Sequence, residues 1–267
     1  MATSYILHYR TESLSVIDSE LLKRLYWLCF AHQCTQALHG RPTLVFSEVD
    51  RLTLLQPREI NDAELSPIRP GDEDWHGNWT SYIPGLNILS RLFMTWFQSQ
   101  HGPHAHSYSR LQTSFELATA ALDSIPAELR WRGGLSRPRR GNFGTDVQMV
   151  NLHITHIHIK AFLLDQIDRA AAVDGHGSSN NWVPTARQDL FTDMLAIVYQ
   201  MPEEVLVANG YSLIAKLRDI GLALLSGKGV NSVEVVESLN RLLAKLERLD
   251  FPPALSDSSP SGMDNGV

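Results

Sequence analysis

Apolar residues recur at three- and four-residue steps along most of this chain, and that period leaves little room for anything but helices. The clearest run lies between Val147 and Ile167, where Val150, Ile154, Ile157, Ala161, Leu164 and Ile167 fall on one stripe. A helix places residues three and four apart on one face, whereas a strand alternates faces at every step. The same pattern recurs from Leu22 to Gly40, Ile88 to Gln100, Leu111 to Leu122, Ala186 to Tyr199, Tyr211 to Leu225 and Ser232 to Leu249. Strand signals are scarce. The expectation is an all-α fold, an irregular helical array with a long acidic loop after the first long helix.

The first helix carries its own punctuation. Ser15 with Asp18 three residues on is an N-terminal capping pair, and Leu22, Leu25, Tyr26, Cys29 and Phe30 form the apolar stripe. Gly40 suits the left-handed position after a helix, and Pro42 prevents continuation. Residues 43 to 80 follow, broken by Pro57, Pro67 and Pro70 and dotted with Glu48, Asp50, Glu59, Asp62 and Glu64. Arg24 and Arg41 bracket the helix and are placed to pair with Glu48, Asp50 or Glu59, pinning the loop across the helix ends. The final segment, FPPALSDSSPSGMDNGV, is polar and rich in helix breakers. It reads as a disordered tail over residues 252–267, after one domain over residues 1–251.

Composition narrows the function. The 267 residues carry a formal net charge of −6, which disfavours a broad nucleic-acid-binding surface. Cys29 and Cys34 are the two cysteines. Five helical steps turn about 140° round the axis, so these side chains point apart and do not bridge. Low cysteine usage fits a reducing compartment. No apolar run is long enough to span a bilayer, and no secretory signal opens the chain.

Histidines are the obvious metal-ligating type. His101, His104 and His106 sit in a connector, and His153, His156 and His158 in LHITHIHIK. On a helix His153 and His156 share a face while His158 points elsewhere. There is no HExxH, no GxSxG and no phosphate-loop pattern. The sequence therefore assigns no catalytic residue, no cofactor and no metal, and the chain reads as no enzyme. A metal-binding protein or enzyme using His101, His104 and His106, or His153 and His156, is the alternative. Arg130, Arg132, Arg137, Arg139 and Arg140 crowd a glycine-rich loop with Trp131 among them, a nuclear-import or phosphate-contact patch.

Several short segments carry a resemblance. Arg24–Leu25–Tyr26–Trp27 and Gly40–Arg41–Pro42 are similar to the arginine–aromatic–Trp and Gly–Arg–Pro landmarks of the middle homology region of fungal zinc-cluster (Zn2Cys6) transcription factors. Glu48, Asp50 and then LLQPREINDAEL, with Pro57, resemble that family's acidic Leu–Pro segment. SYIPGLNILSRLF from Ser81, the Leu122–Pro126 turn and MPEEVLVANGYSLIAKLRDIGLALL from Met201 look like it further on. The likeness runs from about Leu22 to Leu225, with motifs that are short singly and ordered together. One departure stands out: where the family often has an acidic residue in the middle of the first helix, this chain has His32 and Gln33.

The resemblance implies a transcriptional regulator acting in the nucleus, on a fungal metabolic or secondary-metabolite gene cluster. It would work through a truncated regulatory domain that binds a protein partner or a small-molecule effector. Two cysteines cannot build the family's six-thiolate DNA-reading module, so none of its zinc ligands carries over. Direct DNA binding is therefore not expected. A domain shortened at its front leaves an apolar helix face uncovered, which implies self-association or a protein partner.

Overall fold

A computed structural model describes residues 14–41, 56–60, 65, 81–101, 104–131, 133, 142–173, 182–225 and 233–250. These residues form an all-α fold with no strand among them. In chain order the helices are α1 (Val16–Leu38), α2 (Ile83–Gln100), α3 (Tyr108–Ala120), a 3-10 turn (Ala127–Leu129), α4 (Phe143–Val173), α5 (Val183–Gln200), α6 (Glu203–Ala208), α7 (Gly210–Leu225) and α8 (Val233–Asp250). None is long and apolar enough to cross a membrane.

The organising element is α4. Its 31 residues bury apolar side chains on every side, among them Val150, Leu152, Ile154, Ile159, Leu163, Leu164 and Ile167. A helix apolar all round belongs in the middle of a helical core. Around it pack α2, α3, α5, α6, α7 and the 3-10 turn. Polar groups fix several of these crossings. Gln100 on α2 and Gln166 on α4 exchange amide hydrogen bonds of 2.9 and 2.8 Å. The buried Arg187 on α5 reaches Asp165 on α4 at 2.7 Å and Asp168 at 3.4 Å.

Helix α1 packs on α2 and begins where its capping pair says it should. The Ser15 hydroxyl oxygen accepts from the Asp18 amide at 3.1 Å. It ends in a paired turn in which the Gly40 amide donates to the Ala37 carbonyl and the Arg41 amide to that of Gln36, both at 3.0 Å. Gly40 sits at φ +68°, a conformation that a side chain makes costly, so the stop is built into the glycine.

The apolar stripe of α1 differs from the expectation. Tyr26, Trp27, Phe30, Ala31, Cys34 and Leu38 are buried and Cys29 is half-buried, whereas Leu25 is 45% exposed. The buried face is set by the aromatic residues, which pack edge to face, Tyr26 on Trp27 and Trp27 on Phe30. That choice turns Leu21, Leu25 and Leu28 outward. Among the side chains of α8 that are described, Leu242 is buried while Val236 and Leu243 are exposed.

The segment Gln56–Ile60 lies across α1 and α2, and its anchors reverse the expected charges. Glu20, buried on α1, accepts from the Arg58 amide at 2.8 Å and pairs with the Arg58 guanidinium at 3.3 Å and Lys23 at 2.8 Å. Burial alone would raise its carboxyl, but Lys23 and the Arg58 amide hold it below the ordinary range. Arg24 donates to the Ile60 carbonyl at 3.0 Å. Asn87 on α2 donates to the Pro57 carbonyl at 3.0 Å and to Glu59 at 3.2 Å. Arg41, past the end of α1, donates to Gln36 on that helix. Pro42, Glu48, Asp50 and the tail over 252–267 lie outside the described residues.

Candidate functional site

One region of the core is polar where packing alone would make it apolar. It lies where the end of α1, the middle of α4 and the middle of α7 converge. Lys216 on α7 is 3% exposed. Its ammonium donates to Thr155 Oγ1 at 2.7 Å and Asn151 Oδ1 at 2.9 Å, both on α4. Among the described residues it has no carboxylate partner. Burial therefore pushes its pKa down to about 7, because the neutral amine costs far less to desolvate than the ammonium.

One helical turn further on, Asp219 bridges two imidazoles. Its Oδ2 stands 2.6 Å from His39 Nδ1, at the end of α1, and 3.1 Å from His158 Nε2, on α4. The two rings lie 5.3 Å apart between centroids. Burial would raise the Asp219 carboxyl, but the hydrogen bonds from His158 and His39 outweigh it and hold it below its usual value. His158 is pushed the other way by its burial, which disfavours the imidazolium. The second ring nitrogens, His158 Nδ1 and His39 Nε2, are buried without a hydrogen-bond partner.

Two cavities open on these groups and share His39. The larger, of about 370 Å³, is walled by Leu28, Ala31, Leu89 and Phe93, and its polar lining includes Arg41, His32, Asn151, Tyr211, Ser212 and Lys216. Among the described residues, no carboxylate lines it. The smaller, of about 250 Å³, lies beside Asp219 and His158 under Leu38, Ala161, Phe162 and Leu222. A carboxylate there, Asp165, is already engaged by Arg187.

The histidines singled out by the sequence are elsewhere. His153 Nε2 faces the Leu129 carbonyl at 3.0 Å and the Trp131 amide at 3.2 Å, serving one or the other according to its tautomer. His156 Nε2 donates to the Ala118 carbonyl at 2.7 Å. Burial, helped by the Lys160 charge, takes His156 down to about 4, so it is a neutral strut between α4 and α3. His101 stacks on Phe97, with ring centroids 3.8 Å apart. His104 and His106 occupy a tight turn at φ 64° and 72°. Among the described residues, the one group of three ligand-type side chains whose donor atoms converge is His39, His158 and Asp219. Of the arginine patch, Arg130 folds back onto the Ile125 carbonyl at 3.1 Å. Arg132, Arg137, Arg139 and Arg140 lie outside the described residues.

Lys216, Asp219 and His39 escaped the sequence reading. A signal for Lys216 was present: it stands three residues after Leu213 and four before Ile220, so a charge occupies the apolar stripe of α7. Comparison with protein-family models, with curated proteins and with solved structures returned no match for this chain.

Proposed function

We propose that the chain is the ligand-sensing helical body of a transcriptional regulator, and that its ligand is a small organic anion. The observation that supports this most is the cavity of about 370 Å³ lined by Lys216, Arg41, His32 and His39 and, among the described residues, by no carboxylate. Ligand pockets of roughly 300–1,000 Å³ with apolar walls and a few converging polar groups are the usual form of small-molecule sites. A buried lysine without a counter-ion is a standing cost, and an anion removes it. The apolar wall suits the hydrocarbon part of a carboxylic acid.

The regulatory half of the reading comes from the ordered likeness of Arg24–Trp27, Gly40–Pro42 and the later segments to the fungal middle homology region. In this reading the chain works in the nucleus on a metabolic or secondary-metabolite gene cluster, and its role is regulatory rather than catalytic. It acts through a partner or a second copy, because a net charge of −6 opposes a grip on DNA by the chain alone. An anion in the cavity touches α1 through His32, the turn that ends it through Arg41, and α7 through Lys216. It therefore favours packings in which the two helices are drawn together, the differential contact that a population shift requires.

A reporter assay tests this. The chain is fused to a heterologous DNA-binding module and cells are fed benzoate, phenylacetate or hexanoate. Reporter output that changes with an acid in the parent and not in Lys216→Met supports the reading. Output that ignores every acid, with the fusion present at normal levels, counts against it.

A further inference from the structure

We propose that His39, His158 and Asp219 form a binding site for one divalent transition-metal ion, with zinc as the reference ion, and that the adjoining cavity supplies an open coordination position. The three donors come from three separate helices, α1, α4 and α7, and their ligating atoms all lie within 4.8 Å of one another. Zinc takes imidazole nitrogen and carboxylate oxygen at about 2.0–2.2 Å, and catalytic-type sites hold it by three protein ligands with a fourth position open. Small side-chain rotations bring three atoms this close onto one ion. His39 Nδ1 and His158 Nε2 already converge on the same carboxylate oxygen, at 2.6 and 3.1 Å.

Without metal both inner nitrogens donate to the Asp219 carboxylate, so ligation moves each ring's proton to the far nitrogen. A partner on the far nitrogen normally fixes a tautomer, and neither His39 Nε2 nor His158 Nδ1 has one. Each ring can carry its proton on the far nitrogen and leave the inner one to a cation. Asp219 is 35% exposed along its side chain, whereas His158 is 4% exposed, so an ion enters from the carboxylate side. The fourth position faces a space of about 250 Å³ walled by Leu38, Ala161, Phe162 and Leu222, large enough for a water or a small oxygen ligand. The sequence assigned no metal to the chain because these ligands sit about 60 to 120 residues apart, outside any local motif.

The site uses residues other than Lys216 and Arg41, so it can fail while the anion-sensing reading stands, and the reverse. The test uses the full chain, purified without an affinity tag, stripped with a chelator and dialysed. Zn2+ is titrated in competition with a chromophoric chelator, and Co2+ binding is followed by visible absorption. The expected result is one equivalent of Zn2+ and an intense Co2+ band of low coordination number. Asp219→Asn and His158→Gln each weaken binding by about tenfold or more, by analogy with losses seen when ligand-supporting groups are removed. Asp219→Asn changes a half-exposed side chain with little change of shape, so it reports even if His158→Gln misfolds. His101→Gln leaves binding unchanged. Zinc bound equally well by folded Asp219→Asn, binding abolished by replacing Cys29 and Cys34 alone, or no binding by the folded parent would each overturn the proposal.

Discussion

At the scale of single residues, two of the buried charged groups, Glu20 and Lys216, are resolved in opposite ways. Glu20 is surrounded by donors, which hold it ionised and let it anchor Arg58. Glu20→Gln keeps the shape and loses the charge-assisted bonds, so it destabilises the protein by about 1.5–3 kcal/mol in urea unfolding at neutral pH. Its folded pKa is depressed, so its contribution is present above the unfolded value and fades as pH falls through the folded one. The difference between parent and variant therefore shrinks in acid.

Lys216 has acceptors but no counter-charge, and its burial lowers its pKa to about 7. Between that value and the ordinary one of about 10.4 the unfolded chain holds a proton that the folded chain has released. Stability therefore rises with pH across this window. Lys216→Met removes the buried ammonium and is expected to raise stability below pH 7 by about 1–4 kcal/mol, with a flatter pH profile. A thermal melt of the variant at two pH values on either side of neutrality measures both effects. A loss of stability would mean that Lys216 is a structural bond rather than a strained receptor group.

At the scale of elements, the long periodic segments were legible because their chemistry is local. The core stripe of α4 is the stripe read from Val150 to Ile167, and the ends of α1 follow from Ser15, Asp18 and Gly40. Gly40→Ala forces a side chain into the left-handed region and costs about 1–2 kcal/mol in the same unfolding assay, whereas Gly40→Asn is milder. Less legible was which face of α1 turns inward. Leu25 and Trp27 are both apolar, and only the neighbours on α2 and the aromatic packing decide that Trp27 is buried and Leu25 is not. Nor did the sequence identify the anchors of Gln56–Ile60. Arginines near carboxylates suggested one set of pairs, while Glu20 and the carbonyl of Ile60 supply another.

At the scale of the whole molecule, three helices far apart in sequence converge on one polar spot. Lys216 could be seen in the sequence as a charge on an apolar stripe. The joining of His39 to His158 and Asp219 could not, because it depends on how α1 and α7 meet α4. The outer face of α1, with Leu21 50%, Leu25 45% and Leu28 55% exposed, is an apolar surface that fits pairing with a second copy or partner. Sedimentation of the parent should show concentration-dependent association, and Leu21→Glu with Leu25→Glu should abolish it without lowering Tm. A monomer at every concentration would leave the proposed regulator without this route to a partner.

The central claim is that an organic anion binds over Lys216. Calorimetry of benzoate, phenylacetate and hexanoate in two buffers of different ionisation enthalpy, about one pH unit above the lysine's value of about 7, tests it most directly. The account predicts saturable binding of at least one acid with uptake of close to one proton, affinity falling about tenfold per further pH unit, and loss of both in Lys216→Met. No binding to the folded parent, or binding without proton uptake that Lys216→Met retains, would contradict it.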